Sequence, residues 1–193
     1  MKINDRILYV HGLSSSGASS TARNLQSLLP ECKVISPDLP VEPQDALDML
    51  RMLCKDESPR LIIGTSMGGM FAQQLRGYNK ILVNPAFHVS EFMRTQIGIH
   101  EFLNPRQNGE THYEITASLC DKYQIIEKNQ FDGITAFDIE NTYALFGTKD
   151  TLVHGYDEYT AHYRNAAWFE GEHRLNIEII KEILVPLIKR IIK

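Results

Sequence analysis

Gly64-Thr65-Ser66-Met67-Gly68 sets a serine between two glycines in the pattern G-x-S-x-G, with a further glycine at Gly69. The apolar run Leu61-Ile62-Ile63 leads straight in, and a helical pattern from Met67 to Arg76 leads out. A strand that turns directly into a helix leaves no room for side chains beside the turn, so glycines at 64 and 68 suit it. The serine hydroxyl then stands proud of the strand end, close to a helix N-terminus whose dipole favours developing negative charge. Such a hydroxyl suits nucleophilic attack on an acyl carbonyl, provided that a base removes its proton and an acid orients the base. The competing reading is a Gly-rich turn that binds phosphate, but the Lys-Ser/Thr ending of a P-loop is missing.

The other parts of that chemistry have candidates. His11-Gly12-Leu13-Ser14 follows the first apolar run. The backbone N–H groups of Leu13 and Met67 are the expected donors to an oxyanion, and Gly12 lets the loop approach a substrate closely. Ser14 and the serines after it either contact substrate or make turns. His11 resembles a metal ligand only superficially, since no second ligand sits at metal spacing; it is expected to hold the loop by hydrogen bonding. Asp150 lies just after the apolar run Thr142–Gly147, and His173 just after Ala167–Phe169, in the order serine, acid, histidine. Both then fall at the sheet edge that carries Ser66. His154 and His162 also follow the serine but do not directly follow a strand; His154 is expected to line the pocket. Asp157 falls in a helical stretch, and Asp121, Asp132 and Asp138 precede the relevant strand.

The elements that must position these residues alternate. Arg6–Val10, Cys32–Ser36, Leu61–Ile63 and Lys80–Val83 read as strands, separated by helical patterns over Ser19–Leu29, Gln44–Lys55 and Met67–Arg76. Repeated β-α-β units imply an α/β fold with a mostly parallel sheet of about six strands and helices on both faces. From about Phe87 to Asn141 the pattern breaks into helix-like stretches with NGE and FDG turns. This segment is expected to be a short, lid-like helical excursion over the site, within one domain spanning 1–193. Strands return at Thr142–Gly147 and Ala167–Phe169, with a helix over Tyr156–Asn165 between them. Leu175–Lys193 is an amphipathic helix that Pro186 should kink. It is expected to pack on the sheet; the alternative is that it lies on a membrane.

Composition narrows the classes of function. The 193 residues carry 20 basic and 24 acidic side chains, a net charge of −4, and no basic cluster that would mark a nucleic-acid partner. Cys32, Cys54 and Cys120 are odd in number, widely spaced and without a CxxC pair, so neither a disulfide framework nor a zinc site is suggested. Asp5 and Arg6 interrupt the N-terminal stretch, and no run is apolar and long enough for a secretion signal or a bilayer span. A cytoplasmic location with no membrane partner is the expectation; the oligomeric state is left open.

Leu8-Tyr9-Val10-His11-Gly12-Leu13-Ser14-Ser15-Ser16, Gly64–Gly69, Asn84-Pro85-Ala86, Gly147–Val153 and Gly171–Leu175 together resemble the α/β-hydrolase superfamily. Within it, they resemble the small YqiA-like esterases. The resemblance spans nearly the whole chain in the family's order. It implies that Ser66, Asp150 and His173 form a triad, that Leu13 and Met67 form the oxyanion hole, and that no metal or cofactor is needed. It also implies esterase or thioesterase activity on acyl substrates; the expectation here is cleavage of a carboxylic ester of a small or medium acyl substrate through an acyl-enzyme. Two alternatives stay open: an acyl-CoA thioesterase or acyltransferase with the same triad, and a non-catalytic binding protein on a hydrolase scaffold. A nucleotide-binding α/β protein is a third. The Phe87–Asn141 segment has no motif-by-motif match, so substrate preference is not implied.

Overall fold

Side chains alternate across each strand, so the odd and even residues of a short apolar run serve opposite faces of a sheet. Both sets are buried here. Ile7, Tyr9, Leu61, Ile63 and Ile81 pack on one side with Leu25, Ile180, Leu184 and Ile188, while Leu8, Val10, Ile62 and Leu82 pack on the other with Leu50, Phe71 and Tyr123. Burial on both faces is why these strands read as unbroken apolar runs.

A computed structural model describes residues 5–193. The main sheet comprises β1 (Asp5–Val10), β2 (Cys32–Ile35), β3 (Leu61–Thr65), β4 (Lys80–Val83), β7 (Thr142–Gly147) and β8 (Asn165–Phe169). Its order is β2-β1-β3-β4-β7-β8, and every pairing is parallel. α1 (Ser20–Leu28) and the C-terminal helix cover one face; α2 (Pro43–Glu57), α3 (Met67–Gln73) and α5 (Ala117–Lys128) cover the other. Helices begin where the sequence supplies caps: Ser19 accepts from Ala22 N–H and Thr116 from Leu119 N–H. Parallel strands bring the ends of β3, β7 and β8 to one edge, which is where the candidate residues follow.

Three sequence expectations change. The 87–141 excursion is not wholly helical. Between α4 (Val89–Arg94) and α5 it holds an antiparallel hairpin, β5 (Gly98–Glu101) with β6 (His112–Ile115), and α6 (Ala136–Asn141) closes it. Tyr113 and Ile115 turn into the core while His112 and Glu114 face out. α7 (Tyr156–His162) stops short of Asn165 because Tyr163 is extended and its buried hydroxyl donates to Gln73 Oε1 at 2.9 Å. β8 accordingly starts two residues before Ala167. The C-terminal helix runs from α8 (Ile177–Ile179) through a π-helical turn (Ile180–Leu184) into α9 (Val185–Ile191), so the spacing widens just ahead of Pro186, which has no N–H to donate.

The insertion is fastened to the sheet by a fully buried ion pair. Lys80 Nζ lies 2.6 Å from Asp138 Oδ1 and also donates to Leu75 O at 2.8 Å. Burial pushes the Asp138 carboxyl up, but hydrogen bonds from Lys80, Thr135 and the Gly77 N–H outweigh it and hold the group down at about 2. Removing one partner strands the other charge in the core. Asp138→Ala should therefore lower the free energy of unfolding in urea by about 3–5 kcal/mol, with Lys80→Met/Asp138→Leu regaining most of it; a single-variant loss below about 1 kcal/mol would contradict this.

Candidate active site

The turn between β3 and α3 puts Ser66 in a strained backbone conformation, φ +55° and ψ −124°. Its neighbours impose this. A Cβ on Gly68 would overlap the carbonyl oxygens of Val10 and His11, and a Cβ on Gly64 would overlap that of Gly68. Backbone bonds fix the turn: Ser66 N–H donates to Val83 O at 3.0 Å, and Ser66 O accepts from Gly69 N–H at 2.8 Å and Ala86 N–H at 3.0 Å.

From Ser66 a chain of hydrogen bonds runs across the strand ends. Ser66 Oγ is 2.9 Å from His173 Nε2, and His173 Nδ1 is 2.7 Å from Asp150 Oδ2. Asp150 Oδ1 accepts from the N–H groups of Leu152 at 2.8 Å and Val153 at 3.1 Å. The carboxylate has only acceptors to offer, so the network assigns the imidazole proton to Nδ1 and leaves Nε2 free to accept from the serine hydroxyl. The other candidates lie elsewhere. His162 stacks on Phe131, Asp121 pairs with Arg94 and Asp138 with Lys80. His154 lines the cleft beside Ser66, outside the hydrogen-bonded chain.

The loop after β1 faces the serine. A Cβ on Gly12 would sit 3.2 Å from Ser66 Cβ, so glycine is what allows this approach. Leu13 lines the cleft, and Met67, next to Ser66, borders a crevice of about 20 Å³ that shares Gly12 and Leu13 with it. His11 anchors the loop. Its Nε2 accepts from Leu39 N–H at 3.1 Å, so its Nδ1–H donates to Gly12 O at 2.9 Å. Burial lowers its pKa to about 4 and keeps it neutral. The Ser14 hydroxyl is engaged by the Tyr113 hydroxyl of the insertion, and Ser14 O accepts from Leu103 N–H at 2.7 Å. Ser16 Oγ donates to Pro105 O at 2.8 Å, while Asp38 accepts from both Gly17 N–H and Gln107 N–H at 2.7 Å. Much of the serine-rich loop thus serves to dock the insertion.

Asn84 has no assigned role in the sequence reading, yet it ties the site together. It follows β4 at φ +45°, a conformation asparagine tolerates better than most residues. Buried there, its Oδ1 accepts from Gly147 N–H at 2.7 Å, and its Nδ2 donates to the carbonyls of Glu172 and His173 at 3.1 Å each. One side chain therefore joins the ends of β4 and β7 to the loop that carries His173. The sequence marked it only as the first residue of the Asn84-Pro85-Ala86 motif directly after a strand, with no role attached. A cleft of about 800 Å³ opens over Ser66 and His173. Among the described residues, no three His, Cys, Asp or Glu side chains converge as a metal site.

Comparison with known proteins fits this arrangement. A profile described as Uncharacterised protein family (UPF0227) matches residues 6–183. Among solved structures, Est1E from Butyrivibrio proteoclasticus is similar at a TM-score of 0.66 and 14% identity, over 100% of this chain and 90% of that one. Alpha/beta hydrolase domain-containing protein 10 from mouse gives 0.59 and 14%, over 96% and 90%. An extracellular alpha/beta-hydrolase from a Paenibacillus species gives 0.59 and 11%, over 96% and 98%. At such identities the likeness establishes the fold, which is that of the α/β-hydrolases.

Two measurements test the positioning. His11 titrates at about 4 in the fold against about 6.5 when exposed, so the unfolded chain binds the extra proton between these values and stability falls as pH drops through them. The loss should approach about 3 kcal/mol by pH 4. His11→Gln should flatten that slope in urea titrations; an unchanged slope would assign the pH dependence to other groups. Asn84→Ala should destabilise by about 2–4 kcal/mol, since it removes three bonds and leaves buried partners unpaired. It should also abolish the low-field NMR signal of the His173 Nδ1 proton; persistence of that signal would show that Asn84 does not hold the loop.

Proposed function

This chain belongs to the family UPF0227, and on that premise we propose that it is a serine hydrolase that cleaves a carboxylic ester through an acyl-enzyme. The observation that carries the reading is the linked pair of hydrogen bonds from Ser66 Oγ to His173 and from His173 to Asp150, at 2.9 and 2.7 Å. His173 Nε2 takes the hydroxyl proton as Ser66 Oγ attacks the carbonyl carbon. The N–H groups of Leu13 and Met67 stabilise the oxyanion. As the intermediate collapses, the C–O bond to the alcohol breaks and the alcohol leaves with the proton from His173. Water, activated by the same imidazole, then releases the acid. Asp150 holds the ring in the Nδ1–H tautomer and stabilises its charged form.

In this reading the 87–141 insertion is a lid within a single hydrolase domain. Cys32, Cys54 and Cys120 are free and buried, which supports a cytoplasmic setting. Among the described residues, no helix is long and apolar enough to cross a membrane.

Ser66→Ala should lower kcat/KM for a p-nitrophenyl ester by about 10⁴-fold or more and abolish labelling by a fluorophosphonate probe. His173→Ala should lose rate comparably. Full activity in Ser66→Ala would refute the proposal.

A further inference from the structure

The Leu13 N–H donates to no group among the described residues, so its aim depends on what holds the peptide it belongs to. A trans peptide is planar, and its N–H points opposite to its C=O. Fixing the Gly12 carbonyl therefore fixes the Leu13 N–H. That carbonyl accepts two hydrogen bonds, from His11 Nδ1–H at 2.9 Å and from Ser15 N–H at 3.3 Å. Both are supported from the hairpin of the insertion.

The His11 bond is held from behind. His11 Nε2 accepts from Leu39 N–H at 3.1 Å, and Leu39 O accepts from Arg106 Nη2 at 2.9 Å. Arg106 lies in the connection between β5 and β6, with its side chain only 4% exposed. Its guanidinium sits 4.4 Å from the centre of the Phe102 ring, and Glu110 Oε2 lies 3.4 Å from its Nε. The Ser15 bond is held from in front. It closes a β-turn over Gly12–Ser15 whose third residue, Ser14, has φ +62°, a place that favours glycine. Serine persists there because its surroundings fix it. The Tyr113 hydroxyl shares a hydrogen bond with Ser14 Oγ, and Leu103 N–H donates to Ser14 O at 2.7 Å. With Leu13, Arg106 and Tyr113 border the crevice of about 20 Å³. Neither side chain borders the cleft over Ser66, so each acts through the loop.

We propose that Arg106 and Tyr113 are positioning residues for the reaction: from the insertion, they clamp the Gly12–Leu13 peptide so that the Leu13 N–H meets the oxyanion. The inference rests on the serine-hydrolase reading above and gives the insertion a part in the chemistry of that site. The oxyanion forms only once Ser66 has attacked, so a misdirected donor weakens the transition state and leaves substrate binding alone. The two bonds onto the Gly12 carbonyl also polarise the peptide and strengthen its N–H as a donor.

The test uses Tyr113→Phe, which keeps the ring, and Arg106→Met, which keeps the apolar stem, each checked for folding by urea titration. Each should lower kcat for p-nitrophenyl acetate by about tenfold, with KM within about twofold. Affinity for a trifluoromethyl ketone, which places an oxyanion on Ser66, should fall by the same factor as kcat/KM. In a Ser14→Ala background, Tyr113→Phe should have no further effect on kcat, because the two side chains act through one bond. A folded variant with unchanged kcat, or one whose loss lies in KM or spares ketone affinity, would overturn that residue's role. Such a result in both would overturn the clamp and leave the hydrolase reading in place. A wild-type chain that neither cleaves the ester nor is labelled at Ser66 by a fluorophosphonate would overturn both.

Discussion

α3 lies against the end of β1 so closely that no side chain fits at Gly68, and most of the site depends on that contact. Because Gly68 meets the carbonyl oxygens of Val10 and His11, the chain must reverse within the few residues after β3. The strain falls on Ser66, the one non-glycine residue at positive φ within the turn. Such a conformation persists only where its surroundings over-determine it. Here β1, β3 and β4 are paired in register and buried on both faces, and the Ser66 backbone is bonded to Val83, Gly69 and Ala86. The sheet supplies the rigidity, and the missing Cβ supplies the direction in which the serine points.

The same contact fixes what stands opposite the serine. Val10 and His11 continue into Gly12 and Leu13, so pressing α3 onto their carbonyls also sets the distance between the loop and Ser66. His11 then pins the loop to Leu39 from behind. A charged imidazole would lose its acceptor role at Nε2, so burial of the neutral form and the geometry of the loop are one requirement. His173 has the same side chain but a carboxylate at Nδ1 and a hydroxyl at Nε2. Identical residues thus play unlike parts because one meets backbone groups and the other meets Asp150.

Residues whose role follows from local pattern were legible in the sequence. The strands show as apolar runs because both their faces are buried, and Gly64 and Gly68 show as the glycines a tight turn requires. Asp150 and His173 were picked out by their order and by their place just after strands, and two hydrogen bonds link them in line with Ser66. The hairpin of β5 and β6 was not found. Its strands are four residues long, and those of β5 are largely exposed, so the alternation is too short to register. Asn84 stayed hidden for a different reason. Its partners Gly147, Glu172 and His173 lie 63 to 89 residues away, and nothing near Asn84 announces them. Ser14 lines the cleft as expected, but the partner of its hydroxyl, Tyr113, is 99 residues on and could not be read locally. Periodicity reports which face a residue serves, and it is silent on which distant polar group waits there.

Those long-range bonds make the insertion part of the site. The loop after β1 that carries Leu13 also holds the hairpin connection, through Ser14, Ser16 and the Asp38 carboxylate that bridges Gly17 and Gln107. The insertion begins at the Asn84-Pro85-Ala86 turn, which is bonded to Ser66 on one side and to the His173 loop on the other. Its far end is anchored by Lys80 and Asp138 beneath β4. The element is bonded to groups around Ser66 at its start and in its middle, and to the opposite end of β4 at its far end. Shifting the hairpin would pull on the loop beside the serine, and shifting its root would pull on His173. The hairpin, the loop after β1 and the loop that carries His173 are therefore set together, and a change in one is transmitted to the others through a few named hydrogen bonds.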